Sequence, residues 1–158
     1  MKKLWQAIGI LAFWAAWPLL FLYLGRSERT RVLVLCGGEA LVLKSWLGSG
    51  RWSLPGGGLH KGESPAIGLA RELHEETGVT LAPSAIKPLV SEPFKQWGFK
   101  YHCHYFVVEL STRPPVRKQP FEIADYQWLP LHQLSGKKIG LDVTTAVKAW
   151  SRQHDLIQ

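Results

Sequence analysis

With 158 residues, the chain has room for one compact domain and not for two ordinary ones, and it carries no internal repeat or low-complexity tract. Its two cysteines, Cys36 and Cys103, lack metal-ligand or redox spacing, which excludes a cysteine metal centre and leaves two buried thiols suited to a reducing compartment. The formal charge is +7; all 12 acidic residues and 17 of the 19 Lys and Arg follow Gly25, leaving +5 there, a balance that suits anionic partners without choosing among them.

The first predicted element is a membrane span. Leu4 to Leu24 carry no charge, and at about 1.5 Å per helical residue the run matches a hydrocarbon core of ~30 Å. The run ends in Tyr23-Leu24-Gly25-Arg26 without the small-residue pattern of a cleavage site, so an uncleaved anchor is expected rather than a signal peptide. Arg26, Arg29 and Arg31 outnumber Lys2 and Lys3, which predicts a single-pass membrane protein with the rest of the chain on the cytoplasmic side. The expected division is residues 1–25 as anchor and 26–158 as the domain.

Arg31 to Cys36 and Leu41 to Leu43 read as two buried strands joined by a glycine turn into a hairpin. Trp52-Ser-Leu54 leads into Pro55-Gly56-Gly57-Gly58, a stretch with access to unusual backbone angles. A helix follows, with Ser64 as N-cap, Pro65 in its first turn and Gly78 as its stop. At roughly 100° per residue, Ala66, Leu69, Ala70, Leu73 and Thr77 fall on one face, and Glu72, Glu75 and Glu76 on another.

Ala85 to Val90 and Tyr101 to Leu110 are expected strands, joined by a loop rich in aromatic and basic residues (Phe94, Lys95, Trp97, Phe99, Lys100). Arg113 to Pro120 is a proline-interrupted basic loop, Tyr126 to Leu129 a short strand, Pro130 to Leu134 a turn, and Asp142 to Gln153 an amphipathic helix. His102 and His104 share one face of their strand, and Cys103 points to the core. The histidines could suggest a metal pair but lack a third ligand at suitable spacing, and they are not expected to bind a metal.

Three carboxylates on one helical face repel one another unless a cation sits among them, and oxygen-only ligation suits Mg²⁺ or Mn²⁺. An arbitrary E-x-x-E-E is more often a solvated acidic face. The wider spacing overrides that reading. Gly57, Glu63, Arg71-Glu72-Leu73, Glu75-Glu76 and Gly78-Val79 occupy every fixed position of G-x5-E-x7-R-E-U-x-E-E-x-G-U, where U is a bulky aliphatic residue.

In this the chain resembles the Nudix hydrolases, and Trp52 to Gly58 and Trp128-Leu-Pro-Leu131 are also similar to that family. The resemblance implies an α/β/α sandwich with a mixed sheet, here preceded by one N-terminal transmembrane helix. It also implies metal-dependent hydrolysis of a nucleoside diphosphate linked to another group. Glu72 and Glu76 are then the main metal ligands, Glu75 is a third ligand or a water activator, and Gly56 or Gly57 offers a backbone carbonyl. Arg71 and Glu63 pair to hold the helix against the loop, and Gly78 is only a helix stop. The general base is either a signature glutamate or Glu122, from the later loop. Lys44 and Arg51 are candidates for gripping phosphate, and Trp46, Trp97 and Phe99 for stacking on a base or sugar. The expected partners are a small diphosphate substrate and, through residues 4–24, a membrane, with no nucleic-acid polymer. Two alternatives are a catalytically silent nucleotide-binding module and a hydrolase or isomerase of lipid-linked diphosphates.

Overall fold

The computed structural model describes residues 28–47, 49–96 and 99–155, together with Ile8, Leu11, Ala12, Trp14, Ala15 and Ala16. Five strands form one sheet: β1 (Glu28–Cys36), β2 (Glu39–Ser45), β3 (Lys87–Gln96), β4 (Phe99–Leu110) and β5 (Ile123–Pro130). Their order is β3-β4-β1-β2-β5, with β1 and β4 parallel and the other neighbours antiparallel, so the sheet is mixed.

Alternation along β1 explains the two-sided core. Val32 and Val34 face a cluster built with Leu69 and Leu73 of helix α1 (Pro65–Thr77), whereas Leu33 and Leu35 face Val143 and Ala146 of helix α2 (Leu141–Asp155). Burial on both faces is why this strand reads as an unbroken apolar run.

The β1–β2 hairpin is splayed. The strands pair at Leu35↔Ala40 and Cys36↔Glu39 and then part, and the segment from Trp52 to Leu59 fills the gap. Leu43 and Ser53 exchange hydrogen bonds of 2.9 Å, Val32 N–H donates to Pro55 O at 3.0 Å, and Thr30 N–H donates to Gly57 O at 2.9 Å. The glycine-rich loop is therefore held by strand-like hydrogen bonds on both sides, in the middle of the sheet.

β3 and β4 extend further than the sequence predicts. The expected loop around Phe94 and Lys95 is the end of a hairpin, with Phe94↔Tyr101 and Lys95↔Lys100 in register. Pro88 and Pro93 weaken the strand signal, yet β3 is an edge strand, where a missing N–H does no harm.

The expected membrane span is corrected. Among the described residues, no helix is long and apolar enough to cross a membrane. Crossing takes about 20 consecutive apolar residues, whereas α1 has 13 residues, α2 has 15, and both are amphipathic helices packed on the sheet. Six residues of the Leu4 to Leu24 run are described, and the rest of that expected helix lies outside the described residues. The expected single-pass location, with its cytoplasmic catalytic domain, rested on that helix and falls with it.

Candidate active site

α1 delivers the acidic residues to the glycine loop. Pro65 opens the helix, and Gly78 closes it by donating its N–H to His74 O at 2.8 Å. Leu69, Leu73 and Thr77 are buried against the sheet, which turns Glu72 and Glu76 toward the loop. Gly56 N–H donates to Glu76 Oε2 at 2.7 Å. Two glycines make this approach possible. Gly56 has φ 128°, and a Cβ there would lie 2.3 Å from Thr30 O; a Cβ on Gly57 would lie 2.3 Å from Glu72 Oε2. No side chain fits at Gly57 between the loop and Glu72, or at Gly56 against β1.

Arg71 organises the outer edge. Its Nε and Nη2 donate to the two oxygens of Glu63, each at 3.0 Å, its Nη2 also reaches Gly58 O at 3.0 Å, and its Nη1 reaches Glu72 at 2.9 Å and Glu75 at 3.2 Å. The Arg71 hydrogen bonds, helped by His60 N–H, hold the Glu63 carboxyl down at about 2. Burial, reinforced by the charges of Glu72 and Glu122, outweighs Arg31 and the Gly56 N–H and pushes Glu76 up to about 7.

Cations approach the same loop from β1. The Arg31 guanidinium donates through Nη1 to Gly56 O and to Leu54 O, the latter at 3.3 Å. Burial works most strongly against its charge, but Asp142 together with Tyr101, Glu76 and Cys103 outweighs it and holds Arg31 above its ordinary value. Two residues earlier, Arg29 is pushed down by burial and then by the charge of Arg31, and its Nε is buried without a hydrogen-bond partner. Its guanidinium lies over the Tyr101 ring at 5.6 Å, and Tyr101 stacks on Phe94 at 4.8 Å between centroids.

These groups line one cleft of about 560 Å³. Glu72, Glu76, Gly56, Gly57, Arg51 and Glu122 all border it, so the fold brings together positions far apart in sequence. Glu75, with 53% of its side chain exposed, is held by Arg71 and does not line the cleft. Nor does Lys44, whose Nζ caps the Trp52 ring at 4.4 Å. Trp46 ties two loops together, its Nε1 donating to Pro120 O at 2.9 Å and its N–H to Glu122 O at 2.9 Å. Trp97 lies outside the described residues. Sequence reasoning missed Arg29, Arg31, Asp142 and the Phe94–Tyr101 pair. Arg29 and Arg31 did carry a signal, the period of two that sends both side chains to one face of β1.

Among the described residues, no group of three or more His, Cys, Asp and Glu side chains is placed to hold a metal ion. A smaller donor set is present. Glu72 and Glu76 meet at the loop as oxygen donors, Glu76 accepting the Gly56 N–H and Glu72 lying against Gly57. This fits Mg²⁺ or Mn²⁺, which use one or two carboxylates and keep places for water and substrate phosphate. Gly56 O and Gly57 O, the expected carbonyl donors, already accept hydrogen bonds from Arg31 and Thr30.

The NUDIX domain model matches residues 26–148. RNA pyrophosphohydrolases from Brucella ovis and Bartonella quintana are 29% and 28% identical over 52% and 54% of the chain, and the matches span 57% and 60% of those relatives. A MutT Nudix hydrolase from Burkholderia pseudomallei shares the fold with a TM-score of 0.69 at 19% identity, over 78% of this chain and 97% of that one. The Nudix domain of Shewanella oneidensis NrtR, solved with ADP ribose, matches with a TM-score of 0.68 at 17% identity, over 82% and 88%. A five-stranded mixed sheet, a glycine loop threaded between two of its strands and a helix that brings Glu72 and Glu76 to it accord with that match: the chain belongs to the Nudix family.

Proposed function

We propose that the chain hydrolyses a diphosphate linkage in a nucleoside diphosphate attached to another group, with Mg²⁺ or Mn²⁺ as cofactor. One observation carries this reading: carboxylates from α1 and guanidiniums from β1 meet on opposite sides of one glycine loop, in a cleft of nucleotide size. An acidic pair alone suits a cation, and an arginine pair alone suits an anion. Both together suit a polyphosphate that arrives with its cation.

Arg29, Arg31 and Arg51 take the negative oxygens, and guanidinium groups match phosphate geometry. The flat face of the Phe94–Tyr101 pair offers a stacking surface for a base. Glu122 borders the cleft while Glu75 is tied to Arg71, which favours Glu122 as the group that removes a proton from the attacking water. Arg71 and Glu63 keep α1 and the loop in register without touching the substrate. When bound by Glu72 and Glu76, Mg²⁺ supplies neutralisation of the diphosphate charge and polarises phosphorus.

The test is a panel of substrates offered to the purified full chain in MgCl₂ or EDTA: a nucleoside triphosphate, a dinucleoside polyphosphate, a nucleotide-sugar, a 5′-triphosphate RNA oligonucleotide and a prenyl diphosphate. Magnesium-dependent release of phosphate or diphosphate from a nucleotide is expected, and Glu76→Gln should lower it at least about a hundredfold without changing the circular dichroism spectrum. Binding without cleavage across the panel would replace this reading with a nucleotide-binding module. Cleavage or rearrangement of the prenyl diphosphate alone would replace it with a lipid-diphosphate enzyme.

A further inference from the structure

On the face of the sheet that α1 covers elsewhere, β3, β4 and β1 bring Ser91, His102, His104 and Glu28 together. Register fixes the cluster: Ser91 lies opposite His104, and Glu28 lies opposite His102. None of the four lines the substrate cleft. His102 Nε2 lies 3.1 Å and His104 Nδ1 2.5 Å from the same Ser91 Oγ, so one nitrogen of each imidazole is aimed at one point. The rings are 4.9 Å apart, edge to face. The far nitrogen of His104, Nε2, is 3.3 Å from Glu28 Oε2.

A carboxylate accepts and does not donate, so Glu28 places the His104 proton on Nε2 and leaves the Nδ1 lone pair facing Ser91. Ser91 has one hydroxyl proton, which goes to that lone pair, so His102 donates to Ser91 from Nε2. A shift of that proton to His102 Nδ1 would expose a second lone pair at the same point. A carboxylate behind a histidine whose other nitrogen presents its lone pair is the usual outer shell of a metal-bound imidazole.

We propose that His102 and His104 bind a divalent transition ion of the copper-to-zinc class, with Ser91 Oγ or water completing its shell and Glu28 fixing the His104 tautomer. Imidazole selects this class over Mg²⁺ and Ca²⁺, so the site is chemically distinct from the acidic cleft. Among the described residues no third His, Cys, Asp or Glu joins the pair, the ground on which the sequence argued against a metal there, so the proposal rests on two convergent imidazole nitrogens, with Ser91 Oγ or water supplying the rest of the shell. The ion would join β4 to its own hairpin partner and, through Glu28, to β1.

The test uses Cu²⁺ as the probe on the full chain, followed by electron paramagnetic resonance and by the thermal midpoint. At one equivalent, a copper signal split by two ligand nitrogens is expected, and excess Cu²⁺ should raise the midpoint by mass action. His102→Gln and His104→Gln should each weaken copper binding at least tenfold and remove the two-nitrogen pattern, with magnesium-dependent turnover unchanged. Glu72→Gln should leave the two-nitrogen signal intact. Copper binding within twofold of wild type in both histidine variants, or a signal lost only with Glu72, overturns the proposal. Should one histidine variant fold poorly, Ser91→Val, which keeps both ligands, must still show two nitrogens.

Discussion

Asp142 Oδ2 lies 3.7 Å from Arg31 Nε and also accepts the Leu54 N–H at 2.9 Å. Arg31 in turn donates to Gly56 O, and Gly56 N–H donates to Glu76. A single line of contacts thus runs from the first turn of α2, through β1 and the glycine loop, to the acidic face of α1. Asp142→Asn should keep the Leu54 hydrogen bond but strand the Arg31 charge in a site where its side chain is 15% exposed. Removing one partner of a buried pair costs about 3 kcal/mol. Urea unfolding should register a loss of that size, and the double variant Arg31→Met/Asp142→Asn, which keeps the Leu54 hydrogen bond, should recover much of it. An Asn variant as stable as wild type would remove the pair from any role in holding the loop.

What the sequence made legible is what local physics decides. α1 announced itself by Pro65, Gly78 and the spacing of Leu69 and Leu73, and its acidic face followed from the same period. Strand β1 was legible as an apolar run, and its turn into β2 by Gly37-Gly38. The splay of that hairpin was not, because it depends on Thr30, Val32 and Leu43 spending their hydrogen bonds on residues ten or more positions away. β3 was cut short by its prolines, whose tolerance depends on being at the sheet edge, a property of topology. The site followed the same division. Glu72 and Glu76 share a helix, but Asp142 meets Arg31 only after the whole chain has folded, and nothing in the local sequence of either residue points to the other.

Arg29 is the cation with most to gain from substrate. Its buried Nε has no hydrogen-bond partner, and burial and Arg31 both work against its charge. A phosphate oxygen would relieve both. Arg29→Met, which keeps an aliphatic side chain but removes the guanidinium over Tyr101, should raise KM at least about tenfold, the equivalent of ~1.4 kcal/mol, with kcat less affected. The thermal midpoint should hold or rise, since the variant removes a charge that burial and Arg31 disfavour. Steady-state kinetics on the best substrate of the panel, paired with a melt, checks both halves. An unchanged KM would show that Arg29 does not touch the diphosphate.

Glu122 and Glu75 compete for the role of base, and their settings differ. Glu122 borders the cleft, whereas Glu75 is held at 3.2 Å by Arg71 on the outer edge of α1. Glu122→Gln should therefore lower kcat by about 10²-fold and flatten the acidic limb of the pH–rate profile, while Glu75→Gln keeps that limb. The reverse outcome would give the proton to the signature helix and reduce Glu122 to a rim residue.

Glu63 carries the clearest pH signature. Hydrogen bonds from Arg71, then from the His60 N–H, lower its carboxyl from an ordinary 4.5 to about 2. A carboxyl lowered on folding stabilises the folded state above its unfolded value, and that stabilisation fades as pH falls toward the folded one. Glu63→Gln should therefore be less stable than wild type by a constant margin from about pH 5 to 8, and the margin should close between 4.5 and 2. Because Arg71 also holds Gly58 O and Glu72, the variant should lose turnover through a looser loop, with the deficit expressed in kcat. Denaturant midpoints across pH decide the matter: a margin that stays constant down to pH 2 would mean that the Glu63 charge contributes nothing beyond its shape.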